Sequence, residues 1–148
     1  MNDDPGGDPF NLQRFGDAQE RIYDQALAEV TAGRKRSHWM WFIFPQLVGL
    51  GFSSMAQRYA IQNREEAIAY LAHPVLGPRL LACVDAVLNV NGRTAQDIFG
   101  SPDDLKLRSC ATLFANVSPV GSPFEQLLEK YFGGEQDSST AGLLNSMK

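Results

Sequence analysis

The chain has 148 residues, 44% of them apolar and 20% charged, with a net charge of −4 and two cysteines. That length suits one domain with its own buried core, and the acidic balance excludes indiscriminate nucleic-acid binding, so any anion site must be local. Ser37–Gln57 carries no formal charge, but its continuous apolar part, Trp39–Phe44, is six residues long, and a membrane span needs about 20.

Asp8 with Pro9 behind it reads as a helix start. Leu12, Phe15, Ile22, Ala26 and Val30 then recur at helical steps up to a stop at Gly33. Ser37–Ser54 is the irregular part; Trp-Met-Trp-Phe-Ile-Phe predicts a short helix or an extended loop, since no second strand candidate exists. Asn63-Arg64-Glu65-Glu66 resembles a capping box ahead of Ala67–Ala72, and His73-Pro74 breaks that helix. Leu76, Leu80, Val84, Val87 and Asn91 stripe the next, which ends at Gly92. Thr94-Ala95-Gln96-Asp97 opens a short turn closed by Gly100, and Ser101-Pro102-Asp103-Asp104 starts a helix striped by Leu107, Cys110, Ala111 and Phe114. Pro123–Phe132 is the last clear helix, stopped by Gly133-Gly134. The expected class is all-α: a compact single-domain array of six to eight helices over 9–134. A flexible acidic tail at 1–8 precedes it, and a partly frayed tail at 135–148, which Leu143-Leu144 could tack down, follows it.

Charge is distributed unevenly. Residues 1–29 carry net −5, residues 30–64 carry five bases and no acid, and residues 65–148 carry net −4. The basic block holds Arg34, Lys35, Arg36, His38 and both tryptophans, Trp39 and Trp41. Cations at the end of a helix complement its dipole, and indoles usually pack in cores. The functional alternative is that guanidinium forks hold a phosphate or carboxylate while an indole stacks a planar group.

Other motifs are weaker. Gly49-Leu50-Gly51 lacks the third glycine and the βαβ setting of a dinucleotide loop. Ser37-His38 lacks an orienting acid; Ser37 is expected to cap a short helix and His38 to be a partly buried hydrogen-bonder. His38, His73, Cys83 and Cys110 show no metal spacing, so no metal and no cofactor are expected. The two thiols, with no basic start typical of a signal peptide, indicate a reduced, cytoplasmic setting. Asp103-Asp104 suits a first helical turn, Asp104 and Arg108 are spaced as an i,i+4 ion pair, and Thr112 and Asn116 extend that stripe, which is read as a solvated face ahead of the alternative, one wall of a cleft.

Four strings, Ala32–Gln46, Tyr70–Leu80, Ile98–Ser109 and Phe132-Gly133-Gly134, together resemble the bacterial family catalogued as domain of unknown function 1810. The resemblance spans about Phe10 to Leu144, with Cys110 standing where a second small polar residue is expected. It implies a mainly helical fold and carries no established activity, so no catalytic residue passes to this chain. Some members bear the label calpastatin, which these residues do not support: that inhibitor class is disordered and repetitive.

Three functional readings follow. In the first, three strings that interrupt the helices, Arg34–Trp41, His73 and Asp103–Arg108, converge on a cleft for a small anionic ligand, nucleotide-like or phosphorylated. Arg34, Lys35, Arg36, Lys106 and Arg108 are its anion-binding candidates, Trp39 and Trp41 its stacking candidates, and His38, His73 and Asp104 its candidate proton shuttles. The second is a helical module that docks a protein partner through Trp39, Trp41, Phe42 and Phe52 and has no catalytic activity. The third, nucleic acid, is opposed by the net −9 of the rest of the chain.

Overall fold

Side-chain caps start five of the ten helices among the described residues, and an aspartate upstream of the first helix acts in a similar way. In the computed structural model, which describes residues 7–147, Asp8 accepts the amides of Leu12 and Gln13 at 2.7 and 3.0 Å, ahead of α1 (Gln13–Gln19). Ser53, Asn63, Thr94, Ser122 and Asp137 each accept an amide of the first turn of α4 (Ser54–Arg58), α5 (Arg64–Ala72), α7 (Ala95–Phe99), α9 (Pro123–Phe132) and α10 (Ser138–Ser146). The remaining helices are α2 (Tyr23–Thr31), α3 (Met40–Ile43), α6 (Leu76–Leu88) and α8 (Asp103–Ala115). The expected tail at 1–8 lies, through residue 6, outside the described residues.

The class is all-α, and the described residues form ten helices rather than six to eight. One stripe expected as a single helix is two, α1 and α2. The break has a tertiary cause: Gln19 is buried, and its amide donates to the Phe42 carbonyl at 2.7 Å and the Tyr70 hydroxyl at 3.1 Å. That anchors the end of α1 in the core before α2 begins. α4 and α10 are the other additions, in segments read as loop and tail. Ser101 does not cap α8; Pro102 precedes it with no side-chain cap.

α8 is the central helix, buried from Ser109 to Ala115 and packed against α7, α9 and α10. α6 packs against α2, α5 and α9, and α1 against α3. An aromatic chain runs Phe15–Tyr70–Phe114–Phe124, with centroids 5.1, 5.6 and 5.4 Å apart, and a second cluster joins Trp39, Phe44 and Phe99. The irregular segment 37–54 contains α3 and an isolated parallel bridge, Leu47 to Ile61. That bridge holds Gln46 and Gln62 on neighbouring stretches of chain.

Candidate functional site

The loop between α2 and α3 is organised by an acid, Glu29, in the last turn of α2. Its carboxylate accepts from the amides of Arg36 (2.8 Å) and Ser37 (3.0 Å), the Ser37 hydroxyl (2.7 Å), the Trp39 indole N–H (2.9 Å) and the Gln25 amide (3.0 Å). Gly33, at φ +79°, turns the chain out of α2 so that this loop can fold back on it. Ser37 therefore serves Glu29 rather than capping α3, whose first turn has no side-chain cap.

This arrangement sorts the basic block. Trp39 is core, 0% exposed, with its only polar atom satisfied by Glu29. Arg34 and Arg36 are exposed, and His38 is exposed rather than partly buried. Lys35 crosses to α8: its Nζ lies 3.0 Å from Asp103 and 5.1 Å from the centre of the Trp39 ring. Asp103 also holds Lys106 at 3.2 Å, and Lys106 lies 5.4 Å from the centre of the Trp41 ring. Asp103 thus ties the first and third sequence strings together.

Trp41 is half-buried and stands where two concavities merge into one groove. One half, about 480 Å³, is lined by Lys106, Arg108 and Ser109 of α8 with Asp137 and Ser139 opposite. The other half, about 370 Å³, is lined by Gln46, Gln57, Gln62 and backbone of the Leu47–Gly51 loop. Trp41, Gln46 and Phe52 border both, together with Leu50, Gly51 and Ala56. These sizes fall in the range of small-molecule pockets, roughly 300–1,000 Å³. Sequence reasoning missed Gln46, Gln62, Ser109 and Asp137, which carry no local pattern and meet only through the fold.

The Asp104–Arg108 ion pair does not form. Arg108 turns to the C-terminal segment, 3.4 Å from Glu135 and 3.9 Å from Asp137, with its guanidinium 6.0 Å from the centre of the Phe132 ring. Asp104 Oδ1 and Arg108 Nε are buried without a partner among the described residues. The stripe expected to face solvent is covered in part: Thr112 is buried and its hydroxyl accepts the Asp137 amide at 2.9 Å, while Asn116 stays exposed and donates to Gln136 at 3.3 Å. Asp137 in turn caps α10, accepting the Thr140 amide at 3.0 Å.

His73 does not join the groove. Its Nδ1 accepts the amides of Val75 and Leu76, both at 3.1 Å, at the start of α6, and its neighbours in a separate depression include Pro9, Phe10 and Ala69. Of the four rings expected in a docking face, Trp39 and Phe42 are buried, Trp41 is half-buried, and Phe52 is 84% exposed. Both thiols are buried, which pushes Cys83 up to about 12 and raises Cys110 well above the ordinary thiol value. No group of three or more His, Cys, Asp or Glu among the described residues could hold a metal ion. Among those residues, no single helix is long and apolar enough to cross a membrane.

Residues 9–144 match the family described as Protein of unknown function (DUF1810). The chain belongs to that family. The resemblance carried by the four sequence strings is therefore real. The crystal structure of the conserved hypothetical protein Rv1873 from Mycobacterium tuberculosis is similar, with 54% sequence identity and a TM-score of 0.92, over 93% of this chain and 99% of that one. No curated protein matches the chain. Family membership thus fixes the fold and leaves the chemistry to the side chains.

Proposed function

We propose that this chain binds a small anionic ligand with a planar portion, nucleotide-like or phosphorylated, in the Trp41 groove. The observation that carries the reading is that a half-buried indole and two cations, Lys106 and Arg108, open onto one concave surface. An indole face suits a planar ring, and a guanidinium fork suits an oxyanion. Arg34 and Arg36, first choices from the sequence, give way to these two. Arg108 has donors to offer, since its terminal guanidinium nitrogens make only long contacts, 3.4 Å to Glu135 and 3.9 Å to Asp137. Lys106 is already held by Asp103, so an arriving anion would exchange with that carboxylate. His38, His73 and Asp104 line neither half of the groove, which favours binding over proton-transfer chemistry.

The test is an NMR titration of ¹⁵N-labelled protein with AMP, ribose 5-phosphate and pyrophosphate. The Trp41 indole resonance, assigned with Trp41→Phe, is expected to move while the Trp39 resonance stays. Lys106→Gln is expected to weaken the response several-fold. A Trp41 resonance unmoved by every probe at millimolar concentration would overturn the reading.

A further inference from the structure

The two halves of the groove are chemically unlike, and they share their aromatic border. The α8 half holds Lys106, Arg108 and Asp137; the other half is lined by no Asp, Glu, Lys, Arg or His. Its polar side chains are Tyr59 and the carboxamides of Gln57 and Gln62, with Gln46 on the border between the two halves. The Gln57 amide donates to the Phe52 carbonyl at 3.0 Å, while among the described residues the side-chain amides of Gln46 and Gln62 make no hydrogen bond. Their backbones are nonetheless fixed. The Ile61 amide donates to the Gln46 carbonyl and the Val48 amide to the Ile61 carbonyl, both at 2.8 Å.

From this division we propose that the ligand is a nucleoside phosphate lying along the groove, and the proposal rests on the anion-binding reading above. Its phosphate lies toward Lys106 and Arg108, and its base lies in the carboxamide half beside Trp41 and Phe52. A carboxamide presents a donor and an acceptor in one plane, which matches the edge of a nucleobase. A phosphate in that half would meet carboxamides with no cation, whereas a base has no counterpart need in the half that has cations. The border aromatics supply the face that every base can stack on. Phe52, the most exposed aromatic ring of the groove, has no packing role in the core that would hold it away from a ligand.

The experiment compares AMP, GMP, CMP and UMP with ribose 5-phosphate by calorimetry, using wild type, Gln46→Ala and Gln62→Ala. At least one nucleotide is expected to bind about tenfold or more tighter than ribose 5-phosphate. Each glutamine variant should reduce that advantage by roughly three- to tenfold and leave ribose 5-phosphate within about twofold. Both glutamine side chains lie outside the core, and unchanged melting confirms that the variants fold. Ribose 5-phosphate binding as tightly as all four nucleotides would overturn this inference and leave the anion-binding reading standing. A nucleotide preference that survives intact in both variants would overturn the placement of the base. Silence from every phosphorylated probe would end both.

Discussion

Glu29 gathers four donors from the loop that leads to the indoles and a fifth from Gln25 of its own helix. Burial alone would raise its pKa, but hydrogen bonds from the Arg36 amide, Ser37, Gln25 and Trp39 outweigh burial and hold the carboxyl down to about 2. Because the folded value lies below the unfolded one, its stabilisation is complete above the ordinary value of 4.5 and fades as pH falls toward about 2. Glu29→Gln is expected to cost roughly 1–3 kcal/mol at neutral pH, because the carboxamide keeps one acceptor oxygen and sets an NH2 against the donors that the other oxygen served. Thermal melts of both proteins from pH 6 to pH 3 check this: wild type should lose melting temperature faster than the variant. Parallel acid slopes would show that another carboxylate carries the effect. This residue was partly legible in the sequence. An acid in the last turn of a helix opposes the dipole, so it calls for a specific partner, and the donors follow within ten residues. The sequence could not tell which of the two indoles Glu29 takes, since both follow it at similar distance.

Helix ends were the most legible elements, because caps are local chemistry. Asn63, Thr94 with Asp97, Ser122 with Pro123, and Gly133 start or stop helices as their side chains dictate. The break between α1 and α2 was not legible, because Gln19 finds its partners 23 and 51 residues away. The corner between α5 and α6, where the chain bends by 87°, depends on Gly77. A Cβ there would lie 2.1 Å from the Leu71 carbonyl oxygen. Gly77→Ala should therefore destabilise by about 1–3 kcal/mol, read as a lower urea midpoint; an unchanged midpoint would mean that the corner opens freely. The C-terminal segment, read from the sequence as partly frayed with Leu143-Leu144 able to tack it down, forms α10 with Leu144 buried. Ending the chain after Gly134 removes that burial, worth roughly 1.5–3 kcal/mol, and also Asp137 and Ser139 from the groove. The expected outcome is a lower melting temperature together with a lost Trp41 response to phosphorylated probes. Retention of that response would place the groove wholly within the first 134 residues.

Across the whole molecule, the charge contrast along the chain becomes pairing between distant segments. Lys35 reaches Asp103, and Arg108 reaches Glu135 and Asp137. Arg34 and Arg36 remain exposed, but two surface cations on a chain of net −4 make a poor polyanion footprint. Filter binding at about 0.15 M salt should show no retention of RNA or duplex DNA; strong retention that weakens with salt would reverse this expectation. Of the three strings expected to converge, two do, joined by Asp103, while His73 stays at its own helix start. Spacing along a chain carries no information about which turns meet, and this limited how much of the site could be read in advance. Asp103 has one more implication. It clamps Lys35 in the loop behind one indole and Lys106 beside the other, so a guest that pulls Lys106 away alters the grip on that loop. Linkage is reciprocal for affinities: if the proposed anion loosens residues 34–39 by drawing Lys106 from Asp103, anything that binds and tightens that loop must weaken the anion's affinity by the same factor, through a single carboxylate.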